Sequence, residues 1–367
     1  MNLWNCLLIK FLRRIVTIKK NFLPIEIFKG EGIKILDQSL LPGKKTHVFL
    51  KDTQSVISAI QSLQLRGAPL IGIAGVCGLA IGSSEYGTEK KALEKVAKQI
   101  MGSRPTANEL GLLVTEALQK CLELTPRKRN QFLWNFAEKK LGLQKQNDRK
   151  IAELGASLFK ITGGVLTHCN TGPLATGGKG TALAIIQKCW QQGNLDRCYA
   201  TETRPLLQGA RLTMWELEQM GIPSTLLPDT AAASLISSGL ISAVITGADR
   251  IAINGDTANK IGTYGLAVLA NRHNIPFYIA APTTTIDKFC TTGKDIPIEH
   301  RDSSEVGGFR KERWTTKKID AYNPAFDVTP GDLITAIITE YGILKPPYQQ
   351  PIKKVTEHNL YGEKDDV

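Results

Sequence analysis

The sequence predicts an α/β protein. A mostly helical N-terminal domain with a small antiparallel sheet precedes a C-terminal parallel sheet that has helices on both faces. Two observations support this fold class: helical periodicity dominates residues 53–161, and short apolar strands alternate with helices from residue 163 onward. Such alternation is typical of parallel sheets, because parallel strands need a long crossover connection, usually a helix. At 367 residues the chain is long enough for two domains.

The first 22 residues differ from the rest of the chain. They contain five Lys or Arg residues and no acidic residue. Their apolar run is too short to span a membrane, and the basic residues follow it, which is the reverse of the order in a signal peptide. We expect residues 1–22 to be a dispensable extension. A targeting segment or an amphipathic surface helix is the alternative.

Residues 23–145 are predicted to form the helical domain. Short strands at 33–36 and 47–50 enclose a Pro-Gly turn, and Asp52 or Thr53 can cap the helix that follows. An apolar run at 70–81 predicts a buried helix. Further amphipathic helices are expected at 85–100, 108–124, 128–140 and 147–161.

Two arginines of this domain stand beside predicted helix ends. Arg66 precedes Gly67, Ala68 and a proline at the start of the buried helix, and Arg104 precedes another proline. A guanidinium group can bind a phosphate through two parallel hydrogen bonds, so we expect both arginines to bind an anion. The alternative is that they are ordinary surface charges.

Residues 146–345 are predicted to form a Rossmann-like catalytic domain, followed by a flexible tail at 346–367. The tail is polar and contains adjacent prolines, a composition typical of disorder. The domain should contain strands at 164–168, 197–201, 223–227, 241–246 and 276–281. Its helices are expected at 181–192, 205–219, 230–238, 259–273 and 330–341.

A glycine-rich loop follows the first of these strands and begins with Cys169. Backbone N–H groups in such a loop, next to a helix start, can bind phosphate; an ordinary turn with a buried cysteine is the alternative. Asp249 follows a later strand, and the carboxyl ends of parallel strands share one edge. A thiol and a carboxylate that meet there can divide proton transfers between them. The alternatives are core packing for Cys169, and a helix cap or an ion pair with Arg250 for Asp249.

Composition restricts the partners. Charged residues make up 22% of the chain and hydrophobic residues 42%, values that fit a soluble globular enzyme. Seven cysteines without CxxC spacing and five isolated histidines predict reduced thiols in a cytoplasmic protein and no metal site. The net charge of +12 suits an anionic small substrate. Because the basic residues are spread along the chain without interleaved aromatics, we expect no nucleic-acid partner, and we expect no membrane partner.

Eight segments, taken in order, closely resemble the methylthioribose-1-phosphate isomerases. This family belongs to a superfamily with ribose-1,5-bisphosphate isomerase and the regulatory subunits of an initiation-factor nucleotide exchanger. The resemblance covers roughly residues 24–345, and its segments are 66–69, 103–107, 167–170, 203–213, 247–252, 256–264, 296–299 and 323–330.

The resemblance implies an aldose–ketose isomerisation in methionine salvage, without a cofactor or metal, by a homodimer. The substrate would be 5-methylthioribose 1-phosphate and the product 5-methylthioribulose 1-phosphate. By the same resemblance, Cys169 and Asp249 are catalytic. The positions implied to bind substrate are Arg66, Gly67, Ala68, Arg104, Gln208, Asn259 and Lys260. Gln208 and Asn259 are each expected at the start of a helix.

Some positions depart from the usual family pattern. Thr201 stands where an acidic residue is common, and further departures occur at Lys179, Thr230, Ala231 and His300. The catalytic pair is intact, but the group at carbon 5 of the substrate stays open, with 5-deoxyribose 1-phosphate and ribose 1,5-bisphosphate as alternatives. A non-catalytic regulatory subunit is the alternative of a different class. The sequence does not choose between proton and hydride transfer.

Overall fold

The computed structural model describes residues 22–104, 107–159, 163–310 and 312–361. The expectation for the N-terminal extension falls on residues that lie almost entirely outside these ranges. By its internal contacts the chain forms two compact units. The helical unit comprises Phe22–Asn147 and Gly172–Gly180, and the sheet unit comprises Asp148–Thr171 and Thr181–Val367. The predicted domain boundaries are not otherwise tested.

A small antiparallel sheet opens the helical unit, as predicted. Its strands are β1 (Ile25–Phe28), β2 (Gly32–Leu36) and β3 (His47–Leu50), with β2 in the centre. β1 was not predicted from the sequence. Ile33 and Ile35 of the central strand are buried, which attaches the sheet to the core of the unit.

The helical unit also contains α1 (Thr53–Gln61), α2 (Ala68–Glu85), α3 (Lys90–Gly102), α4 (Asn108–Leu122) and the larger part of α5 (Pro126–Ala156). The predicted cap of α1 is confirmed, because the side chain of Asp52 accepts a hydrogen bond from the Ser55 N–H at 2.8 Å. The two helices predicted at 128–140 and 147–161 are one continuous helix, α5. No proline interrupts it between residues 127 and 156.

The core of the helical unit is α2. Within the described residues it is the one helix whose length and composition would allow a membrane span, and 78% of it is buried. Its glycines let neighbouring helices approach closely. A Cβ atom at Gly82 would lie 2.6 Å from a methyl of Val96 on α3, and one at Gly75 would lie 2.5 Å from a methyl of Leu110 on α4. The apolar composition of α2 therefore serves packing against its neighbours.

The remaining strands of the described chain lie in the sheet unit. They are β4 (Gly164–Thr167), β5 (Arg197–Thr201), β6 (Ser224–Leu227), β7 (Ile241–Thr246), β8 (Arg250–Ile251), β9 (Thr257–Lys260), β10 (Phe277–Ala280), β11 (Gly308–Phe309), β12 (Glu312–Arg313), β13 (Phe326–Thr329), β14 (Ala336–Thr339) and β15 (Gly342–Leu344). Seven strands form the main sheet, in the order β15-β14-β10-β7-β4-β5-β6. All neighbours are parallel except β15, which runs antiparallel to β14.

Helices cover both faces of this sheet, which confirms the predicted fold class. After α6 (Pro173–Thr176) in the helical unit, the helices are α7 (Ala182–Gln192), α8 (Met214–Gln219), α9 (Ala232–Ser237), α10 (Thr263–Arg272), α11 (Ser304–Gly307) and α12 (Gln349–Tyr361). Successive residues of β4 enter different cores. Leu166 packs in a cluster with Leu266 of α10, whereas Val165 packs in a cluster with Ile185 of α7.

Three sequence predictions about the end of the chain were wrong. The helix expected at 259–273 begins only at Thr263, and strand β9 precedes it. Residues 330–341, expected to be helical, form a short 3-10 turn at Gly331–Leu333 and then strand β14, whose four residues are buried inside the main sheet. The tail expected to be flexible forms α12, because Ile352 and Val355 are buried in the core and the Tyr348 hydroxyl donates to the Ile334 carbonyl at 2.7 Å.

Candidate active site

The carboxyl ends of three neighbouring strands assemble the candidate site in the sheet unit. Cys169 follows β4, Gln208 follows β5 and Asp249 follows β7, and β4 lies between the other two strands. The chain reverses its order across the sheet between β4 and β7, the position at which such sheets bind ligands. The loops after these two strands touch. A Cβ atom at Gly247 would lie 2.7 Å from the methyl group of Thr171.

Hydrogen bonds hold the backbone of Cys169 on both sides. Its φ of 60° is left-handed, a conformation that costs a non-glycine residue about 1–2 kcal/mol. The Cys169 N–H donates to the Thr203 hydroxyl at 2.9 Å, and the Thr213 hydroxyl donates to the Cys169 carbonyl. Next to it, the Asn170 amide donates to the buried carboxylate of Glu216. The half-buried thiol is therefore presented by a segment whose conformation several side chains determine.

The turn after β5 supplies these hydroxyl groups. The carboxylate of Asp229 accepts the backbone N–H groups of Thr203 and Arg204 at 2.8 and 2.7 Å. A π-helical segment, Gly209–Thr213, then begins directly on the strand end. A Cβ atom at Gly209 would lie 1.8 Å from the Thr201 carbonyl oxygen, so this position requires glycine. π-Helical turns are frequent at functional sites, and this one places the Thr213 hydroxyl beside Cys169.

Gln208 lies at the start of this helical turn, as expected. Its side chain is buried, and its Oε1 atom has no hydrogen-bond partner in the described structure. A buried acceptor without a partner costs free energy, which a ligand that donates a hydrogen bond would recover. The observation supports Gln208 as a ligand-binding residue.

Asn259 and Lys260 lie on β9, next to the segment that carries Asp249. The Asp249 N–H donates to the Ala258 carbonyl at 2.9 Å. The expectation that Asn259 starts a helix was wrong, but its amide nitrogen donates to the Thr263 hydroxyl in the first turn of α10 at 3.0 Å. Lys260 is buried, and its Nζ lies 4.9 Å from the ring centroid of Phe326. Both residues therefore lie on a strand beside the backbone of Asp249, an arrangement that the sequence did not predict.

Asp327 of β13 holds the turn between β9 and α10. Its carboxylate accepts the N–H groups of Gly262 and Tyr264 at 2.7 and 3.1 Å. Burial raises the pKa of the Asp327 carboxyl to about 6, although these hydrogen bonds and the nearby Lys260 oppose the shift. This carboxyl group therefore titrates closer to neutrality than an ordinary aspartate.

The helical unit brings the other predicted site residues to one of its ends. Arg66 precedes α2 and Arg104 follows α3. In the packing of these helices, Gly82 faces Val96 and Gly78 faces Ile100, so the two helices run antiparallel and both arginines lie at the same end of the pair. Gly67 and Ala68 begin α2 at that end.

Two features of the backbone around residue 67 require glycine there. Its φ is 94°, and a Cβ atom there would lie 2.3 Å from the Ala175 carbonyl oxygen within the same unit. A larger residue at this position would strain the backbone and clash with α6. Packing within the helical unit therefore fixes the backbone conformation of the turn at Arg66, Gly67 and Ala68.

The glycine-rich loop differs from the expected phosphate-binding loop. The N–H groups of Gly178 and Gly180 both donate to the Thr176 hydroxyl, at 3.0 and 3.1 Å, and the Gly177 N–H donates to the Pro173 carbonyl. These three groups donate inside the loop, which favours the alternative of an ordinary turn over a phosphate-binding loop. No three His, Cys, Asp or Glu side chains in the described ranges are grouped so as to hold a metal ion. The absence of a cofactor stays a prediction.

Comparison with known proteins gives the family. The model of the initiation factor 2 subunit family matches residues 64–346. The chain belongs to the initiation factor 2 subunit family. The sequence motifs indicated the methylthioribose-1-phosphate isomerases and, with them, a superfamily that includes initiation-factor subunits.

Two curated relatives and two solved structures locate the chain within the initiation factor 2 subunit family. A methylthioribose-1-phosphate isomerase of Acetivibrio thermocellus is 45% identical over 90% of this chain and 99% of that one. A 5-deoxyribose 1-phosphate isomerase of Moorella thermoacetica is also 45% identical, over 90% and 97%. The crystal structure of 5-methylthioribose 1-phosphate isomerase from Pyrococcus horikoshii superposes with a TM-score of 0.86 at 36% identity, covering 93% and 98% of the two chains. That of the initiation factor eIF-2B subunit delta from A. fulgidus gives 0.81 at 38%, covering 92% and 100%.

Sequence reasoning missed the side chains that support the predicted family site. Glu216 was not singled out, and Thr203 and Thr213 were included only within a motif. All three are fully buried polar residues in or beside the turn after β5. In the sequence these residues are visible only as polar residues among apolar ones. Their role depends on the contact between this turn and the residues that follow strand β4, which exists only in the folded chain.

Proposed function

We propose that the chain is an aldose–ketose isomerase of methionine salvage, which converts 5-methylthioribose 1-phosphate into 5-methylthioribulose 1-phosphate. Membership in the family and 45% identity to a named isomerase over nine-tenths of the chain support this function. One structural observation carries it: a thiol and a carboxylate, Cys169 and Asp249, follow neighbouring parallel strands whose loops touch. A binding subunit has no chemical need for such a pair.

The chemistry needs two groups with different proton affinities. Carbon 1 of the substrate carries the phosphate, so the sugar ring must open before carbons 1 and 2 can exchange a hydrogen. Asp249 donates a proton to the ring oxygen and then accepts the proton of the carbon 2 hydroxyl, while Cys169 acts at the bond between carbons 1 and 2. At neutral pH a carboxyl group with its reference pKa near 3.9 is ionised, so donation by Asp249 requires a raised pKa, which burial in a closed site favours. The thiol has a reference pKa near 8.5, and it acts as a base in its thiolate form.

Two routes for the hydrogen remain to be separated. In the enediol route Cys169 removes the proton from carbon 2 and returns it to carbon 1; in the hydride route the hydrogen migrates directly and the thiol forms part of an apolar wall. Substrate deuterated at carbon 2 distinguishes them. Complete retention of deuterium at carbon 1 of the ketose indicates hydride transfer, whereas loss to water indicates the enediol.

Each of the two units contains residues that we propose to bind the substrate. In the sheet unit, Lys260 supplies a positive charge, Asn259 an amide and Gln208 a buried acceptor for a sugar hydroxyl. In the helical unit, Arg66 and Arg104 lie at one end of a helix pair, and their role as phosphate ligands rests on the family resemblance. The predicted positions Gly67 and Ala68 lie between Arg66 and the body of α2.

A variant pair tests the catalytic assignment. Cys169→Ala and Asp249→Asn should each lower turnover by at least ~10²-fold with a smaller effect on substrate affinity. The matched controls are Cys189→Ala, which removes a buried thiol of α7 whose pKa burial raises to about 12, and Asp196→Asn, which removes an exposed carboxylate. Near-native turnover of the Cys169→Ala, Asp249→Asn double variant would end the assignment.

A second candidate substrate is 5-deoxyribose 1-phosphate. The relative named for that activity is as similar to this chain as the methylthioribose-1-phosphate isomerase. Turnover should therefore be measured by NMR on a panel of pentose 1-phosphates that carry a methylthio group, a hydrogen or a phosphate at carbon 5. The substrate with the highest kcat/KM identifies the activity. No turnover on any member would favour a regulatory subunit, the alternative that the family name suggests.

We also propose that the protein is a cytoplasmic homodimer that binds neither nucleic acid nor membrane. The dispersed basic residues support the absence of a nucleic-acid partner, and the burial of α2 supports the absence of a membrane span. Light scattering at micromolar concentration should give the mass of a dimer. A gel shift with RNA, or sedimentation with anionic vesicles, would contradict the proposal.

A further inference from the structure

A fully buried histidine precedes Cys169 and has a partner for each ring nitrogen. His168 Nε2 lies 2.8 Å from the Ile261 carbonyl oxygen, and Nδ1 lies 2.6 Å from the Thr201 hydroxyl. A carbonyl can only accept, so Nε2 carries the hydrogen. In a neutral ring Nδ1 then accepts the hydrogen bond from Thr201.

This histidine is one member of a continuous chain of hydrogen bonds. The Cys169 N–H donates to the Thr203 hydroxyl, which lies 3.4 Å from the Thr201 hydroxyl. Because Thr201 donates to His168, the Thr203 hydroxyl is the donor toward residue 201, where the hydroxyl oxygen lies at 3.4 Å and the carbonyl oxygen at 3.3 Å. The chain thus links the backbone of Cys169 through two hydroxyls and the imidazole to Ile261, the neighbour of Lys260.

Packing fixes the ring from a second side. Gly262 has a φ of 105°, and a Cβ atom there would lie 3.1 Å from His168 Cε1. Burial lowers the pKa of His168 below its usual value; among the charged groups that face it, Asp229 after β6 opposes this shift and Lys260 on β9 reinforces it. The imidazole is neutral, has no nitrogen left for proton transfer, and contacts the last residue of β5 and the turn after β9.

We propose that His168 is a positioning residue for the isomerase site. Its neutral Nε2–H tautomer, which the Ile261 carbonyl sets and the Thr201 hydroxyl matches, holds the loop of Cys169 against the strand that carries Asn259 and Lys260. The kinetic consequence of this role rests on the proposed function, whereas its structural consequence does not. It also gives Thr201 a purpose: an uncharged donor at that position keeps the imidazole uncharged.

Two variant pairs test the proposal. His168→Asn is too short to bridge Thr201 and Ile261, whereas the amide nitrogen of His168→Gln can reach the place of Nε2. Thr201→Val removes the hydroxyl at constant shape, whereas Thr201→Ser keeps it. His168→Asn and Thr201→Val should lower kcat and raise KM, with kcat/KM falling about 10- to 100-fold for a displacement near 1 Å. His168→Gln should recover part of the loss, and Thr201→Ser should match the wild type.

Two further measurements separate this proposal from the proposed function. The first is the rate at which iodoacetamide alkylates Cys169, followed by mass spectrometry. That rate should change in His168→Asn and Thr201→Val and not in Thr201→Ser, even if no sugar phosphate is turned over. The second is 15N NMR of the wild type, which should show the Nε2–H tautomer of His168 at pH 7.

Several outcomes would overturn the positioning role. Wild-type kinetics and alkylation in both His168→Asn and Thr201→Val would remove it. Equal impairment of His168→Asn and His168→Gln, with Thr201→Val unaffected, would indicate that only the bulk of the ring matters. A cationic ring or the Nδ1–H tautomer in the wild type would also contradict it. If the His168 variants do not fold, the two Thr201 variants decide the question.

Discussion

Thr203→Val removes one hydroxyl that holds Cys169 in its left-handed conformation. That conformation costs about 1–2 kcal/mol, and the hydrogen bonds from the Cys169 N–H and to its carbonyl offset this cost. Valine keeps the shape of threonine but leaves a buried N–H without its acceptor, a penalty of about 1–3 kcal/mol. The balance then favours other conformations of Cys169. Since 1.4 kcal/mol is a factor of ten, kcat should fall by about 5- to 150-fold.

The matched control is Thr203→Ser, which keeps the hydroxyl and should retain most of the activity. The backbone N–H of residue 203 still donates to Asp229 in both variants, so the rest of the turn is preserved. Initial rates at saturating sugar phosphate report kcat, and thermal unfolding checks that both variants are folded. A kcat for Thr203→Val within twofold of that for Thr203→Ser would refute the claim that this hydroxyl positions the thiol.

Three further predictions concern packing, pH and charge. Gly209→Ala should lower the free energy of unfolding by about 1–3 kcal/mol, because its Cβ atom would collide with the Thr201 carbonyl oxygen. Gly265→Ala has open space around it and should raise the free energy of unfolding by about 0.5–1 kcal/mol. Chemical denaturation measures both values, and equal effects would contradict this prediction. The folded pKa of Asp327, about 6, exceeds the ordinary 3.8, so its contribution to stability is present below pH 3.8 and lost as the pH rises through 6. Relative to Asp327→Asn, the wild type should lose at most about 3 kcal/mol over that range, less for its partial exposure, and parallel pH curves would refute the shift. Arg104→Ala should weaken substrate binding by about 1.5–3 kcal/mol, unlike the exposed Lys98→Ala, and unchanged affinity would remove Arg104 from the site.

Local patterns in the sequence were sufficient for five of the seven strands of the main sheet. The strands β4, β5, β6, β7 and β10 lie within a residue or two of their predicted positions, because apolar runs between turn residues occur where the chain enters a buried sheet. The same patterns placed Cys169 and Asp249 at strand ends. The family motifs indicated which polar residues bear on the chemistry, and the family is confirmed. Whether those residues act as assigned stays a prediction.

Local patterns failed where long-range packing decides the conformation. Residues 336–339 and 349–361 read as helix and disordered tail, yet they form β14 and α12 because the sheet and its core accept their apolar side chains. Asn259 lies on a strand because β9 pairs with β8 and β13 on either side. Propensity is a weak guide at such positions, since the free energy comes from partners distant in sequence.

Residue identity at the site was determined by the sequence, and the conformation of those residues was decided by the tertiary structure. The presence of a thiol, a carboxylate and a glycine at positions 169, 249 and 209 is plain from the chain itself. The left-handed backbone of Cys169 and the neutral tautomer of His168 come from hydroxyl and carbonyl groups 33 to 93 residues away along the chain. Hydrogen bonds between such distant groups exist only after the strands have paired, so no local pattern encodes them.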